Sequence, residues 1–266
     1  MFIVKIPAVN GENTRGCERA GNAILKYLKK IHSSEKGVLI ETDNLDLEEI
    51  HTDNSDIKLT GKLIYENSAE IFEEKPRTIF LGGDHSITYH TGRAFLDYCK
   101  KQKKEPCLIV FDSHADSVPS HKQEPANREW LGKLVENGFP SKDILIVGAR
   151  NISREEIIFL KKNNIKNIDM NQLLNDLDET CDFIMEFANG KELYLSIDIG
   201  VADPVFAPAS EYPEAGGVSS RQLIYLVQRI IKVKTLRAAD ITGINPERDK
   251  EELTIGLGAK ILAEMI

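Results

Sequence analysis

Short aliphatic and β-branched runs alternate with longer amphipathic stretches along the whole chain, and this alternation limits the possible folds more than any other feature. The runs are Phe2–Ile6, Val38–Glu41, Thr78–Leu81, Cys107–Phe111, Ile144–Val147, Lys166–Ile168, Glu192–Ile197 and Thr235–Ile241. Several are apolar throughout, the pattern of strands covered on both faces. Between them, Glu18–His32 sets Ala20, Ile24, Leu25, Leu28 and Ile31 on one helical stripe. Ser153 with Glu156, and Ser219 with Gln222, form capping boxes ahead of apolar turns. A last helix runs from near Glu251 through Leu253, Leu257, Ile261, Leu262 and Ile266. Strand–helix alternation predicts parallel pairing through right-handed crossovers, and so a three-layer α/β/α sandwich with a mostly parallel sheet of about eight strands. A closed barrel of alternating strands and helices is the alternative that strand counting leaves open.

Composition supplies enough material for such a core. Of 266 residues, 41% are apolar and 29% charged, a globular balance. No linker rich in proline, glycine or serine divides the chain, so residues 1–266 read as a single domain. The net charge of −8 argues against a nucleic-acid partner. The lysines at 100, 101, 103, 104, 161 and 162 read as solvated helix ends. No stretch approaches the roughly 18 apolar residues of a membrane span. Met1–Asn10 lacks the apolar core and cleavage site of a signal peptide. Cys17, Cys99, Cys107 and Cys181 form no CxxC pair and read as reduced, mostly buried thiols. The expectation is a soluble cytoplasmic protein.

Chemistry-bearing residues gather just past four of the predicted strands. Thr78–Leu81 runs into Gly82-Gly83-Asp84-His85-Ser86, and Cys107–Phe111 into Asp112-Ser113-His114-Ala115-Asp116. Glu192–Ile197 runs into Asp198-Ile199-Gly200-Val201-Ala202-Asp203-Pro204, and the last strand into Asp240-Ile241-Thr242-Gly243-Ile244-Asn245-Pro246. Open parallel sheets bind ligands at the carboxyl ends of their strands. Asp112, His114 and Asp116 stand at i, i+2 and i+4, which share a face of an extended segment. Carboxylates with imidazole suit Mn²⁺, with Zn²⁺, Fe²⁺ or Ni²⁺ also admissible. Taken alone, the three also read as an N-cap, a core histidine and a turn aspartate. His85 and Asp198, arriving at the same sheet edge without a cationic neighbour in sequence, weigh toward a metal. The Gly82-Gly83 pair lets the chain turn sharply and bring His85 inward.

Jointly, Gly82–Ser86, Asp112–Asp116 and Ser196–Pro204 resemble the three signatures of the arginase/agmatinase/formimidoylglutamase (ureohydrolase) family. Phe206-Ala207-Pro208, Pro213–Gly217 and Asp240–Pro246 agree with it as well, so the resemblance covers roughly residues 81–246. It implies an arginase-like α/β sandwich with paired Mn²⁺ ions, whose shared hydroxide attacks a guanidino or amidino carbon of a small-molecule substrate. By position, His85, Asp112, Asp116 and Asp198 would hold one ion. His114, with the bridging Asp112 and Asp198, would hold the other. Asp116 would also serve catalysis, and a trimer or hexamer is implied.

Three departures accompany the resemblance. The family's aspartate two residues past the Asp198 position is Gly200 here, which weakens the second ion site. The substrate-holding glutamate of the Asp240–Pro246 segment is Gly243. Asn127 falls where relatives carry a histidine, and Glu211 stands in a loop where relatives carry a small residue. Asn127 and Glu211 are the candidate substrate contacts, although Glu211 also reads as a solvated loop residue. The leading expectation is a divergent metallohydrolase of guanidino or amidino C–N bonds, with one or two Mn²⁺ per chain. A non-catalytic family member, structural or regulatory, is the alternative. A one-metal hydrolase is a third.

Overall fold

The structure is a computed structural model describing residues 1–266. Its strands are β1 Phe2–Lys5, β2 Asp46–Glu49, β3 Thr78–Leu81, β4 Pro106–Phe111, β5 Ile144–Val147, β6 Lys166–Ile168, β7 Glu192–Asp198 and β8 Leu236–Thr242. They form one sheet in the order β2-β1-β3-β8-β7-β4-β5-β6, with every neighbouring pair parallel. The sheet is open, with β2 and β6 as edges, so the closed barrel is excluded.

Nine α-helices complete the layers: α1 Ala20–Leu28, α2 Ile57–Glu74, α3 Ile87–Gln102, α4 Trp130–Glu136, α5 Arg154–Asn163, α6 Met170–Asn175, α7 Leu177–Phe187, α8 Ser220–Ile230 and α9 Leu253–Met265. Successive strand residues point to opposite faces, and the two cores follow that rule. Ile79 and Leu81 pack with α1 and α6 to α9. Phe80 packs with α2 to α5. Both capping boxes form as the sequence predicts: Ser153 and Ser219 accept the backbone N–H of Glu156 and Gln222.

Two expectations are corrected. Val38–Glu41 is not a strand; Val38 and Leu39 are 52% and 71% exposed. The edge strand is Asp46–Glu49, which pairs only with β1. An edge strand held by backbone pairing to one neighbour needs no apolar sequence, so hydrophobic runs could not reveal it. The first helix covers Ala20–Leu28, entered by a 3-10 turn at Cys17–Arg19. At the C-terminus a similar turn at Lys250–Glu252 precedes α9. For function, the important result is adjacency. Strands β3, β8, β7 and β4 lie side by side in mid-sheet, so their carboxyl ends deliver all four motifs to one crevice.

Candidate metal centre

The turn after β3 brings in the first imidazole. A Cβ on Gly83 would strike the carbonyl oxygen of Ala8, so only glycine allows this close approach. Asp84 then fastens the N-terminal loop, its Oδ2 accepting the backbone N–H of Asn10 at 2.7 Å and Gly11 at 2.8 Å. His85 follows at the mouth of α3. Its Nδ1 lies 3.0 Å from Asp112 Oδ2, 3.0 Å from Asp116 Oδ2 and 3.8 Å from Asp198 Oδ2. The ligand atoms of His85, Asp112 and Asp116 all fall within 4.8 Å of one another.

The opposite nitrogen fixes the ring. His85 Nε2 is 2.9 Å from Ser196 Oγ, and Ser196 Oγ donates to Asp240 Oδ1 at 2.7 Å. With the serine proton committed to Asp240, His85 Nε2 is the donor to Ser196. Thr88 Oγ1 and Tyr194 OH each donate to Asp240 Oδ2 at 2.8 Å, so hydroxyls solvate this buried carboxylate. Asp116 adopts a left-handed backbone, φ 47°, a conformation disfavoured for residues with a side chain. Trp130 Nε1 donates to its Oδ2 at 2.9 Å.

Asp198 ends β7, and its Oδ1 accepts the N–H of Gly200 at 2.7 Å. A Cβ on Gly200 would sit 2.8 Å from that oxygen, and a Cβ on Gly243 would collide with Asp198 Oδ2. His114 N donates to Asp112 Oδ1 at 2.9 Å, and its Nδ1 is 3.0 Å from Ser113 Oγ. On its outer side, Nε2 is 3.5 Å from Glu214 Oε1.

Asn127 Nδ2 donates to Glu211 Oε1. Glu211 is 4% exposed, so its reading as a solvated loop residue is overturned. The loop containing it turns inward because Glu211 N–H donates to the Gly243 carbonyl at 2.8 Å and Asn245 N–H to that of Ala209 at 2.9 Å. Every residue singled out from the sequence as ligand or substrate contact lines one cavity, joined by Tyr212. Its volume is about 10 Å³, a water-sized space.

Charge is crowded here. Burial, then repulsion from Asp112, pushes the Asp116 carboxyl up to about 6 and that of Asp198 up to about 8. Burial also raises Glu211 well above the usual carboxylate range, with Asp84 and Asp198 adding to it. For His85, burial acts to lower the pKa, but hydrogen bonds to Asp112 and Asp116 outweigh it and the ring is raised well above its ordinary value. His114 rises to about 9 because its hydrogen bond to Asp112 likewise outweighs burial. More buried acids than imidazoles share this space, an arrangement that a cation relieves. Hard carboxylate oxygens with imidazole nitrogen fit a divalent ion of the Mn²⁺ kind.

Sequence reasoning did not single out Arg150. Its guanidinium donates to the carbonyls of Gly200 at 2.9 Å, Val201 at 3.2 Å, Glu214 at 2.6 Å and Ala215 at 3.0 Å. Its own N–H donates to Ser113 O at 2.8 Å. One residue, by its backbone and its side chain, therefore ties the loops after β4, β5 and β7 together. A lone arginine gives no such signal in sequence, because its partners are backbone carbonyls.

Comparison with known proteins agrees with this geometry. A sequence model of the arginase family matches residues 1–266. The chain is similar to the agmatinase of Bacillus subtilis (strain 168), 26% identical over 205 residues, 77% of this chain and 68% of that protein. It is also similar to the mitochondrial arginase 1 of Arabidopsis thaliana, 27% identical over 232 residues, 86% of this chain and 66% of that protein. The matched stretches thus span about two thirds of those relatives. In fold it resembles the formimidoylglutamase of Bacillus subtilis subsp. subtilis str. 168, with a TM-score of 0.90, 22% identity and coverage of 99% of this chain and 85% of that one. The proclavaminate amidino hydrolase of Streptomyces clavuligerus gives a TM-score of 0.88 at 21% identity, covering 99% and 89%. Four strand-end motifs meeting in one crevice, and a family match over the full length, place this chain in the arginase family.

Proposed function

We propose that this protein is a metal-dependent hydrolase that cleaves a C–N bond in a small amidino or guanidino compound. The observation that carries the reading is the convergence of His85, Asp112 and Asp116 ligand atoms within 4.8 Å, from two separate strand ends, in a buried site. His85, Asp112, Asp116 and Asp198 would hold one divalent ion, Mn²⁺ by family resemblance. His114, with Asp112 and Asp198, would hold a second, more weakly because Gly200 brings no carboxylate. When bound, such ions supply an acidified water and positive charge at the developing tetrahedral centre.

The chain's own residues do the rest. Ser196 holds His85 by Nε2 and so turns Nδ1 toward the acids. Trp130 holds the Oδ2 of Asp116, and Asp116 is the carboxylate that would take a proton and return it to the leaving nitrogen. Burial of the whole cluster keeps bulk water from competing with a bound substrate.

A non-catalytic relative is the second reading, favoured by one observation: Asp198 is packed between Gly200 and Gly243, where resemblance implies acids. The two readings separate in one assay. Urea and ammonia release is followed over a panel of guanidines and amidines, with and without Mn²⁺, using Asp112→Ala as control. Metal-dependent turnover of a panel member, absent in the variant, supports the hydrolase. Silence across the panel by Mn²⁺-loaded wild type supports the non-catalytic reading.

A further inference from the structure

Among the carboxylates lining the cavity, only Glu211 keeps a fully buried oxygen, Oε2, with no hydrogen-bond partner. Its other oxygen is committed to Asn127 Nδ2. Its backbone is pinned on both sides, by its N–H on the Gly243 carbonyl at 2.8 Å and by Arg248 Nη1 on its own carbonyl at 3.4 Å. The preceding residue, Ser210, pairs with Ile244 in an isolated antiparallel bridge. This carboxylate is therefore rigidly presented. It is not a loop side chain that has drifted inward.

A buried carboxylate oxygen without a donor is costly to maintain, and its completion requires a donor or a cation. No lysine or arginine lines this cavity, so the partner is not a side chain of the site. Burial, with Asp84 and Asp198 nearby, favours a proton on this carboxyl; a cationic donor brought by the substrate would take that proton's place.

We propose that Glu211 Oε2 accepts an N–H of a planar amidinium or guanidinium ion, making Glu211 the residue that selects a cationic amidine over a neutral amide or urea of the same shape. The inference rests on the hydrolase reading and adds the charge of its substrate. A charge-assisted N–H···O⁻ bond in a buried site is roughly twice as strong as a neutral one. Selection follows because a neutral isostere leaves the buried carboxylate without its counter-charge.

The test is a calorimetric titration of Mn²⁺-loaded protein with guanidinium chloride and, separately, with urea, its neutral isostere. Mn²⁺ content is measured in parallel. Wild type should prefer guanidinium by roughly 10- to 100-fold. Glu211→Gln, which keeps shape and loses charge, should narrow that preference toward one at unchanged Mn²⁺ content. A preference that survives in Glu211→Gln overturns the inference, as does loss of Mn²⁺, which would make Glu211 a ligand. If Glu211→Gln does not fold, Glu211→Asp carries the test: its shorter carboxylate should keep the sign of the preference and reduce its size, and an unreduced preference overturns the inference. Wild type that binds neither probe also overturns the inference, while the hydrolase reading is decided separately by the turnover panel.

Discussion

The carboxylate of Asp198 occupies the space that a Cβ on Gly243 would need. On its other side the same carboxylate accepts the Gly200 N–H at 2.7 Å. The two departures from the family pattern are therefore one structural event: with glycine at both positions, Asp198 turns its oxygens into room that side chains would fill. Gly243 also has φ of 77°, which costs a residue with a Cβ about 1–2 kcal/mol. Gly243→Ala should therefore destabilise the fold by at least that amount and displace Asp198. Urea unfolding and a Mn²⁺ titration read the two effects. An alanine variant with unchanged stability and affinity would contradict this placement.

Metal should stabilise the fold by relieving repulsion among Asp112, Asp116 and Asp198. At a concentration 100 times its dissociation constant, an ion that binds only the folded state adds about 2.7 kcal/mol. A thermal melt should therefore rise with Mn²⁺ and fall with chelator. Asp112→Ala should abolish the response, since Asp112 Oδ2 is 3.0 Å from His85 Nδ1 and its Oδ1 accepts from His114. Gly200→Asp would return a carboxylate, but only if Asp198 swings away, since the new Cβ would lie 2.8 Å from its Oδ1. A stoichiometry in that variant raised toward two ions per chain would show that Asp198 does so.

Ser196 orients His85 without touching the cavity. Removing such a hydrogen-bond partner behind a metal-ligating histidine typically costs about 10- to 100-fold in affinity. Ser196→Ala should weaken Mn²⁺ binding by about that factor. It also strips one hydroxyl from Asp240, so its melt without metal separates the structural share from the effect on affinity. Unchanged Mn²⁺ affinity would show that His85 needs no support at Nε2.

The thiols give a pH dependence whose sign is fixed. Burial pushes Cys99 and Cys107 up to about 12 and Cys181 up to about 11. Each folded-state value exceeds the unfolded one near 9, so the fold holds the neutral thiol more firmly than the open chain does. Their contribution is complete below pH 9 and is lost as pH rises toward 11 and 12. At pH 10 each costs about 1 kcal/mol relative to pH 8. Urea unfolding at the two pH values checks this. At pH 8 a thiol reagent should find no fast-reacting cysteine in the native protein and all four after unfolding. A rapidly labelled native thiol would contradict the burial.

What the sequence made legible follows from what each residue answers to. Strand β4 announced itself because Leu108, Ile109 and Val110 are buried on both faces, and only apolar residues tolerate that. Strand β2 did not, because pairing with β1 asks nothing of its side chains. His85, Asp112 and Asp116 were readable because each lies in the short segment just past an apolar strand. The support of His85 was not, since Ser196 and Asp240 meet only when β7 and β8 pair. The inward turn of Glu211 was equally hidden. Pro208–Pro213 has the composition of a surface loop, and the carbonyl that holds it belongs to Gly243.

The most direct test of the central claim is a crystal structure of Mn²⁺-loaded protein with anomalous scattering measured at the manganese edge. The account predicts a strong peak bounded by His85, Asp112, Asp116 and Asp198, and a weaker one beside His114. No anomalous density in this cluster, or an ion held elsewhere while the cluster stays closed on itself, would contradict it.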